Sequence, residues 1–102
     1  MFHYTNKQGY NGIRSSSAWR FVASKPPGEH PPGAYFTDYG ASTPLLAQKL
    51  RIPREKLGFY FSFADVGDLR PLRGGRGEHI FYSEADYAVL EPRQISQGST
   101  GL

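Results

Sequence analysis

The sequence predicts an α+β fold of several short strands and two short helices, and three observations carry that expectation. Phe59, Phe61 and Phe63 alternate with Tyr60, Ser62 and Ala64, the period of a strand with one fully aromatic face. Two helix-start patterns, Thr5-Asn6-Lys7-Gln8 and Ala41-Ser42-Thr43-Pro44, each lead into only a short stretch of helical spacing. Twelve Gly and eight Pro, about a fifth of the 102 residues, fall between the apolar runs and punctuate them into short elements.

Taken in order, Phe2–Thr5 reads as a first strand. Thr5 caps a helix over 6–16, with Gln8 completing the capping box and Tyr10 and Ile13 on one face. Gly9 and Gly12 each weaken that helix by about 1 kcal/mol relative to Ala, so packing must hold it. Ala18–Ala23 is aromatic and β-rich and reads as a strand. Four prolines between Ser24 and Gly33 block helix and central-strand pairing, which makes that stretch a stiff surface loop. Gly33-Ala34-Tyr35-Phe36-Thr37-Asp38 then reads as a buried strand with a polar exit. A second helix with Pro44 at its first position carries Leu45, Leu46 and Leu50 and stops before Pro53. Phe59–Phe63 is expected to be a central strand, Gly74–Gly77 a turn, and His79–Tyr82 and Tyr87–Ile95 the last two strands. Pro92 marks the final one as an edge or bulged strand. A single domain over 1–95 is followed by a tail, 96–102, expected to be disordered.

Composition narrows the function classes. A chain of this size holds one core and buries roughly two-thirds of its unfolded surface; at 15% aromatic, rings must fill much of it. The absence of Cys excludes disulfide scaffolds, thiolate metal sites and cysteine nucleophiles. Twelve basic against nine acidic residues is a mild excess that a solvated surface explains. With no apolar run near 18 residues and no signal-peptide pattern at its start, the chain reads as soluble and not membrane-bound.

Three His and scattered carboxylates show no metal-ligand spacing, so no metal is expected. Asp38, Asp65 and Asp68 lie near turns, where Asp commonly caps the backbone. Arg73-Gly74-Gly75-Arg76-Gly77 is similar to a short basic nucleic-acid-binding tract, and a charged hairpin loop accounts for it equally. His3, Tyr35 and Asp86 are different in kind: each lies in or at the start of a strand, beside a helix or loop able to close a cleft, and the three strands are expected to meet at one pocket.

In that order, Phe2-His3-Tyr4-Thr5, Gly33-Ala34-Tyr35-Phe36-Thr37-Asp38 and Asp86-Tyr87-Ala88-Val89 resemble the signature strands of the His-Tyr-Glu branch of the ADP-ribosyltransferase superfamily. Poly-ADP-ribose polymerases and diphtheria-type toxins belong to that branch, and the resemblance is strongest to its compact toxin offshoot with a His-Tyr-Asp signature. It spans residues 2–95. It implies a compact split two-sheet fold, mostly antiparallel, that grips NAD as a substrate across a cleft.

The chemistry follows from the bond to be broken. Cleaving nicotinamide from ribose develops positive charge on the sugar, as in glycoside cleavage, and a carboxylate beside it stabilises that charge. Asp86 is the candidate, with Glu84, two residues earlier, in reserve. Asp in place of the branch's usual Glu is one methylene shorter, which could alter transfer efficiency or favour hydrolysis. The resemblance implies that His3 hydrogen-bonds a ribose hydroxyl, that the backbone at Tyr4 holds the carboxamide, and that Tyr35 stacks on nicotinamide. Thr5, Thr43 and Leu46 complete the implied NAD contacts. Leu46 stands where the polymerases carry a second stacking tyrosine, for which Tyr39 is a substitute here. Arg14, Arg20 and Arg51 are candidates for the pyrophosphate.

The expected activity is mono-ADP-ribosyl transfer to a protein or nucleic-acid acceptor by a monomeric toxin or effector domain, secreted or delivered into a target cell. An immunity protein is a candidate partner. NAD glycohydrolysis at the same site is the alternative. A small RNA-binding module using Tyr60, Phe61, Tyr82 and the Arg73–Gly77 loop is the alternative of another class.

Overall fold

The computed structural model describes residues 1–24, 32–72 and 79–102. Its strands are β1 (Phe2–Thr5), β2 (Trp19–Phe21), β3 (Ala34–Thr37), β4 (Phe59–Phe63), β5 (Arg70–Pro71), β6 (Ile80–Ser83), β7 (Tyr87–Val89) and β8 (Gln94–Ser99). The helices are α1 (Lys7–Arg14) and α2 (Leu46–Leu50), with single 3-10 turns at Arg54–Leu57 and Glu91–Arg93. Six strands form one sheet in the order β5-β6-β3-β1-β4-β8, and β2 and β7 form a second. Every described pairing is antiparallel. The α+β class with two sheets and two helices is the one the sequence predicts.

The two sheets close on a core of rings. Phe61 and Phe63 of β4, at 0% exposure, and Phe36 of β3 face Trp19 and Phe21 of β2. Phe21 meets Phe36 edge-on at 5.1 Å and Phe61 at 5.7 Å, and Trp19 meets Phe61 at 4.9 Å. Such edge-to-face pairs suit the ring quadrupoles and add about 0.5–1.5 kcal/mol each beyond area burial. Between the two buried rings of β2, Arg20 points to water.

Several local expectations give way to tertiary structure. Asn6, not Thr5, caps α1, its carboxamide oxygen accepting the Gly9 N–H at 2.9 Å. Thr5 is instead the last residue of β1, and a Cβ at Gly9 would fall on its hydroxyl, so strand and helix approach through that glycine. Pro44 does not open α2. Thr43 closes a turn through its N–H to Gly40 O at 3.0 Å, and the helix starts at Leu46 after Leu45 takes a left-handed conformation, φ 56°. The expected strand over Tyr87–Ile95 is two strands in different sheets. The 3-10 turn holding Pro92, which has no N–H to donate to a ladder, ends β7 and swings the chain across to β8.

The tail is ordered from 96 to 99 rather than disordered. Gln94–Ser99 pairs along β4 from Phe63↔Gln94 to Phe59↔Ser99 and covers what would be the exposed edge of the most aromatic strand. The Ser62 and Ser96 hydroxyls share a hydrogen bond of 2.7 Å across that ladder, and Thr100 N–H donates to Gly58 O at 2.9 Å. The domain therefore runs through this strand instead of ending at 95. The Gly74–Gly77 turn and most of the proline loop lie outside the described residues. No helix among the described residues is long and apolar enough to cross a membrane.

Gly33 opens β3 under a close contact: a Cβ there would lie 2.5 Å from the backbone oxygen of Ser83 at the end of β6. Around Gly12, on the exposed side of α1, a Cβ would meet nothing within 4 Å. Urea denaturation separates the two. Gly12→Ala is expected to stabilise the fold by about 1 kcal/mol, and Gly33→Ala to destabilise it by about 1–3 kcal/mol because backbone has to move.

Candidate functional site

The site is built where the large sheet comes apart. Met1 and Phe63 exchange both backbone bonds, the terminal amine to Phe63 O at 3.0 Å and Phe63 N–H to Met1 O at 3.0 Å. In an antiparallel ladder such pairs alternate, so His3 and Thr5 direct their N–H and C=O toward β4, while Phe2 and Tyr4 direct theirs toward β3. β1 keeps register with β4 over four residues but with β3 only at Phe2↔Thr37. Beyond that pair the ladder stops, and the peptide groups of Tyr4 point into the opening.

His3 spans the same opening. Its Nδ1 lies 2.9 Å from the carbonyl oxygen of Tyr35. A carbonyl only accepts, so Nδ1 carries the hydrogen and the neutral ring presents Nε2 as an acceptor. Burial pushes the His3 pKa below its ordinary value, opposed in part by that hydrogen bond. The ring packs at 4.7 Å from Phe21 and 5.6 Å from Phe36, on the face between the sheets.

Tyr35 lies on the other face. Phe36 takes the core side of β3, so Tyr35 points outward, where its ring stacks on Tyr82 at 5.7 Å and 21°. Burial raises its pKa. Tyr4 shares that outer face across the opening, stacked on Phe2 at 6.2 Å, its hydroxyl donating to Tyr39 O at 2.7 Å. Burial, and then the neighbouring Tyr60, carry the Tyr4 pKa well above the usual tyrosine range.

Asp86 sits where the chain crosses from β6 to β7. Its carboxylate accepts the Ala23 N–H at 2.8 Å and the Arg20 guanidinium at 3.0 Å. The Ala23 bond first, and then Arg20, hold its pKa below the usual carboxylate value, so it is ionised at neutral pH. Ser24, next to Ala23, bridges to Gly33 at the head of β3. The structure thus ties His3 to Tyr35 directly, and Asp86 to the strand of Tyr35 through Ala23, Ser24 and Gly33. Between His3 and Asp86 the described connection runs through Phe21, which pairs with Tyr87.

The remaining candidates are placed as follows. Glu84 does not share a strand face with Asp86: β6 ends at Ser83, the chain bends, and Glu84 pairs with Arg70 at 3.0 Å. Leu46 is 3% exposed, its side chain absorbed into packing, and offers next to no surface to a ligand. Tyr39 is also engaged, its ring stacked on His79 at 4.3 Å with the Lys49 ammonium 5.5 Å from its centroid. Thr43 is half-buried in its turn. Among the three arginines Arg20 stands beside Asp86, whereas Arg14 lies over the Tyr10 ring and Arg51 caps α2. No group of three or more metal-ligating side chains occurs among the described residues. Phe61, proposed for an RNA-stacking surface, is core at 0% exposure.

Sequence reasoning named Tyr82 only for an RNA-stacking surface, not as the ring behind Tyr35, and did not choose Arg20 among the three arginines. Both depend on cross-strand register, Tyr35↔Tyr82 and Phe21↔Tyr87, which no local pattern specifies. No protein-family model, curated protein or solved structure matches the chain.

The His3 environment has a consequence for stability. The unfolded chain takes up the His3 proton near pH 6.5, while the folded chain resists it to lower pH. More protons are bound unfolded, so stability falls as the pH drops below about 6.5 and levels off under the folded pKa. Urea midpoints at pH 7.5 and 5 should differ more for the parent than for His3→Asn, which lacks the titrating group.

Proposed function

We propose that the chain is an NAD-dependent ADP-ribosyltransferase. The observation that carries this reading is the opening between β1 and β3, with the Tyr4 peptide directed into it and the imidazole of His3 held across it by Tyr35 O. An amide N–H and C=O at a strand edge match the carboxamide of nicotinamide, which has both a donor and an acceptor. A neutral His3 with Nε2 as acceptor suits a ribose hydroxyl.

In this reading the Tyr35 ring, backed by Tyr82, supports the nicotinamide, and Asp86 faces the ribose. The C1′–N bond breaks with its electron pair going to the pyridinium nitrogen, and nicotinamide leaves neutral. The positive charge left on the ribose is opposed by an ionised Asp86. An acceptor nucleophile then bonds to C1′ from the opposite side and releases its proton. With water as the acceptor the same step is glycohydrolysis. A toxin or effector role, delivered into a target cell and restrained by an immunity protein, goes with this proposal.

The test is nicotinamide release from NAD, with label transfer to cell lysate scored against free ADP-ribose. Release should fall roughly 10²–10³-fold in Asp86→Asn, and sharply in Tyr35→Ala. Wild-type turnover by Asp86→Asn would remove Asp86 from the mechanism. Absence of release from the parent, with and without lysate, would overturn the reading.

A further inference from the structure

We propose that the outer face of the large sheet binds single-stranded nucleic acid along a row of tyrosines. The row is a product of register. Arg70 pairs with Tyr82, Tyr82 with Tyr35, Tyr4 with Tyr60, and Tyr60 with Gly98. Phe2 and Thr37 are partners across β1 and β3, so Tyr4 and Tyr35, each two residues away along its strand, share their face. One level of the sheet therefore carries Arg70, Tyr82, Tyr35, Tyr4, Tyr60 and Gly98 on six successive strands.

Four tyrosines on adjacent strands span at least roughly 14 Å, room for a few nucleotides. All four tyrosines are partly exposed, unlike Phe36, Phe61 and Phe63, which the opposite face buries in the core. Gly98 puts no side chain beside Tyr60, whose ring would lie 3.8 Å from a Cβ there. Every base has a π-face, so such a row accepts bases without regard to sequence.

The charge around the row fits a polyanion. The segment from α2 through the 3-10 turn at Arg54–Leu57 carries Lys49, Arg51, Arg54 and Lys56 against Glu55 alone, and all five side chains are exposed. Its 3-10 turn packs against β1. Lys49 reaches the Tyr39 ring, and Tyr39 O accepts the Tyr4 hydroxyl, which ties this basic edge to the row. At the other end Arg70, 66% exposed, is held by Glu84 in a surface pair that phosphate can replace. Aromatic rings flanked by exposed cations are the elements that non-specific single-strand binders combine.

The surface does not depend on NAD, so the experiment omits it. Labelled ten-nucleotide oligo-dT, oligo-rU and a matched duplex are titrated at 50 mM salt, and ring-proton shifts of the parent are followed by NMR. Both single strands should bind in preference to duplex and shift the Tyr60 and Tyr82 rings while leaving Trp19, in the core, unmoved. Tyr60→Leu and Tyr82→Leu should each weaken binding roughly 5- to 100-fold, with Phe at either position restoring most of it. Replacing Lys49, Arg54 and Lys56 by Gln should flatten the salt dependence by about 0.7 in log–log slope per cation removed. Preference for one of the two single strands would name the sugar. Duplex preference, no binding at 50 mM salt, or shifts confined to other residues would overturn the proposal.

Discussion

Phe21 is the ring on which both sheets close, and the seating of Asp86 and of the head of β3 follows from it. A two-stranded ribbon is at best marginally stable alone, so β2 and β7 depend on what their inner face meets. Phe21, 2% exposed, meets Phe36 and Phe61 edge-on and also contacts Phe63 and the imidazole of His3. With the ribbon seated, Ala23 and Ser24 at the exit of β2 are placed to hold Asp86 and Gly33. A shift of that ring would move the Asp86 anchor and the head of β3 together.

The same packing separates the protonation states of the two ionisable groups. His3 is surrounded by Phe21, Phe36 and its own strand neighbours, so desolvation favours the neutral ring. Asp86, at the solvent end of the ribbon, keeps its charge through an N–H and a guanidinium. Environments that push two groups apart in this way leave a neutral acceptor and an anion within one small chain across the neutral pH range.

Elements whose residues decide their own fate were legible in the sequence. Phe59–Phe63 declares a strand because alternate rings leave it one apolar face, and Phe61 and Phe63 are buried on it as that pattern requires. Tyr10, the apolar anchor expected for the first helix, is the buried residue of α1. What was not legible depends on partners distant in sequence. Gln94–Ser99 has little β-propensity and contains a glycine; it is a strand because β4 has an edge to cover. Thr43-Pro44 has the form of a helix start, yet the turn closed on Gly40 delays α2 by two residues. Glu84 and Asp86 look like neighbours on one face until the chain bends between the sheets. For the site, the sequence named His3, Tyr35 and Asp86, but which faces they occupy is a matter of register.

Register also explains how one short strand serves two surfaces. Successive residues of β1 point to opposite sides, so His3 enters the ring core while Phe2 and Tyr4 join the outer tyrosines. The backbone of β1 alternates in the plane of the sheet as well: odd residues bind β4 and even residues face β3. Where β3 departs after Phe2↔Thr37, only an even residue can present its peptide to the gap, and that residue is Tyr4. The preceding odd residue, His3, spends its backbone on β4 and has its side chain available to cross to Tyr35 O. A one-residue slip of β1 would carry the imidazole to the tyrosine face and turn the Tyr4 peptide back into the β4 ladder. The full four-residue ladder with β4, closed at its end by the Met1–Phe63 exchange, opposes that slip, and so fixes which chemistry each side of the opening displays.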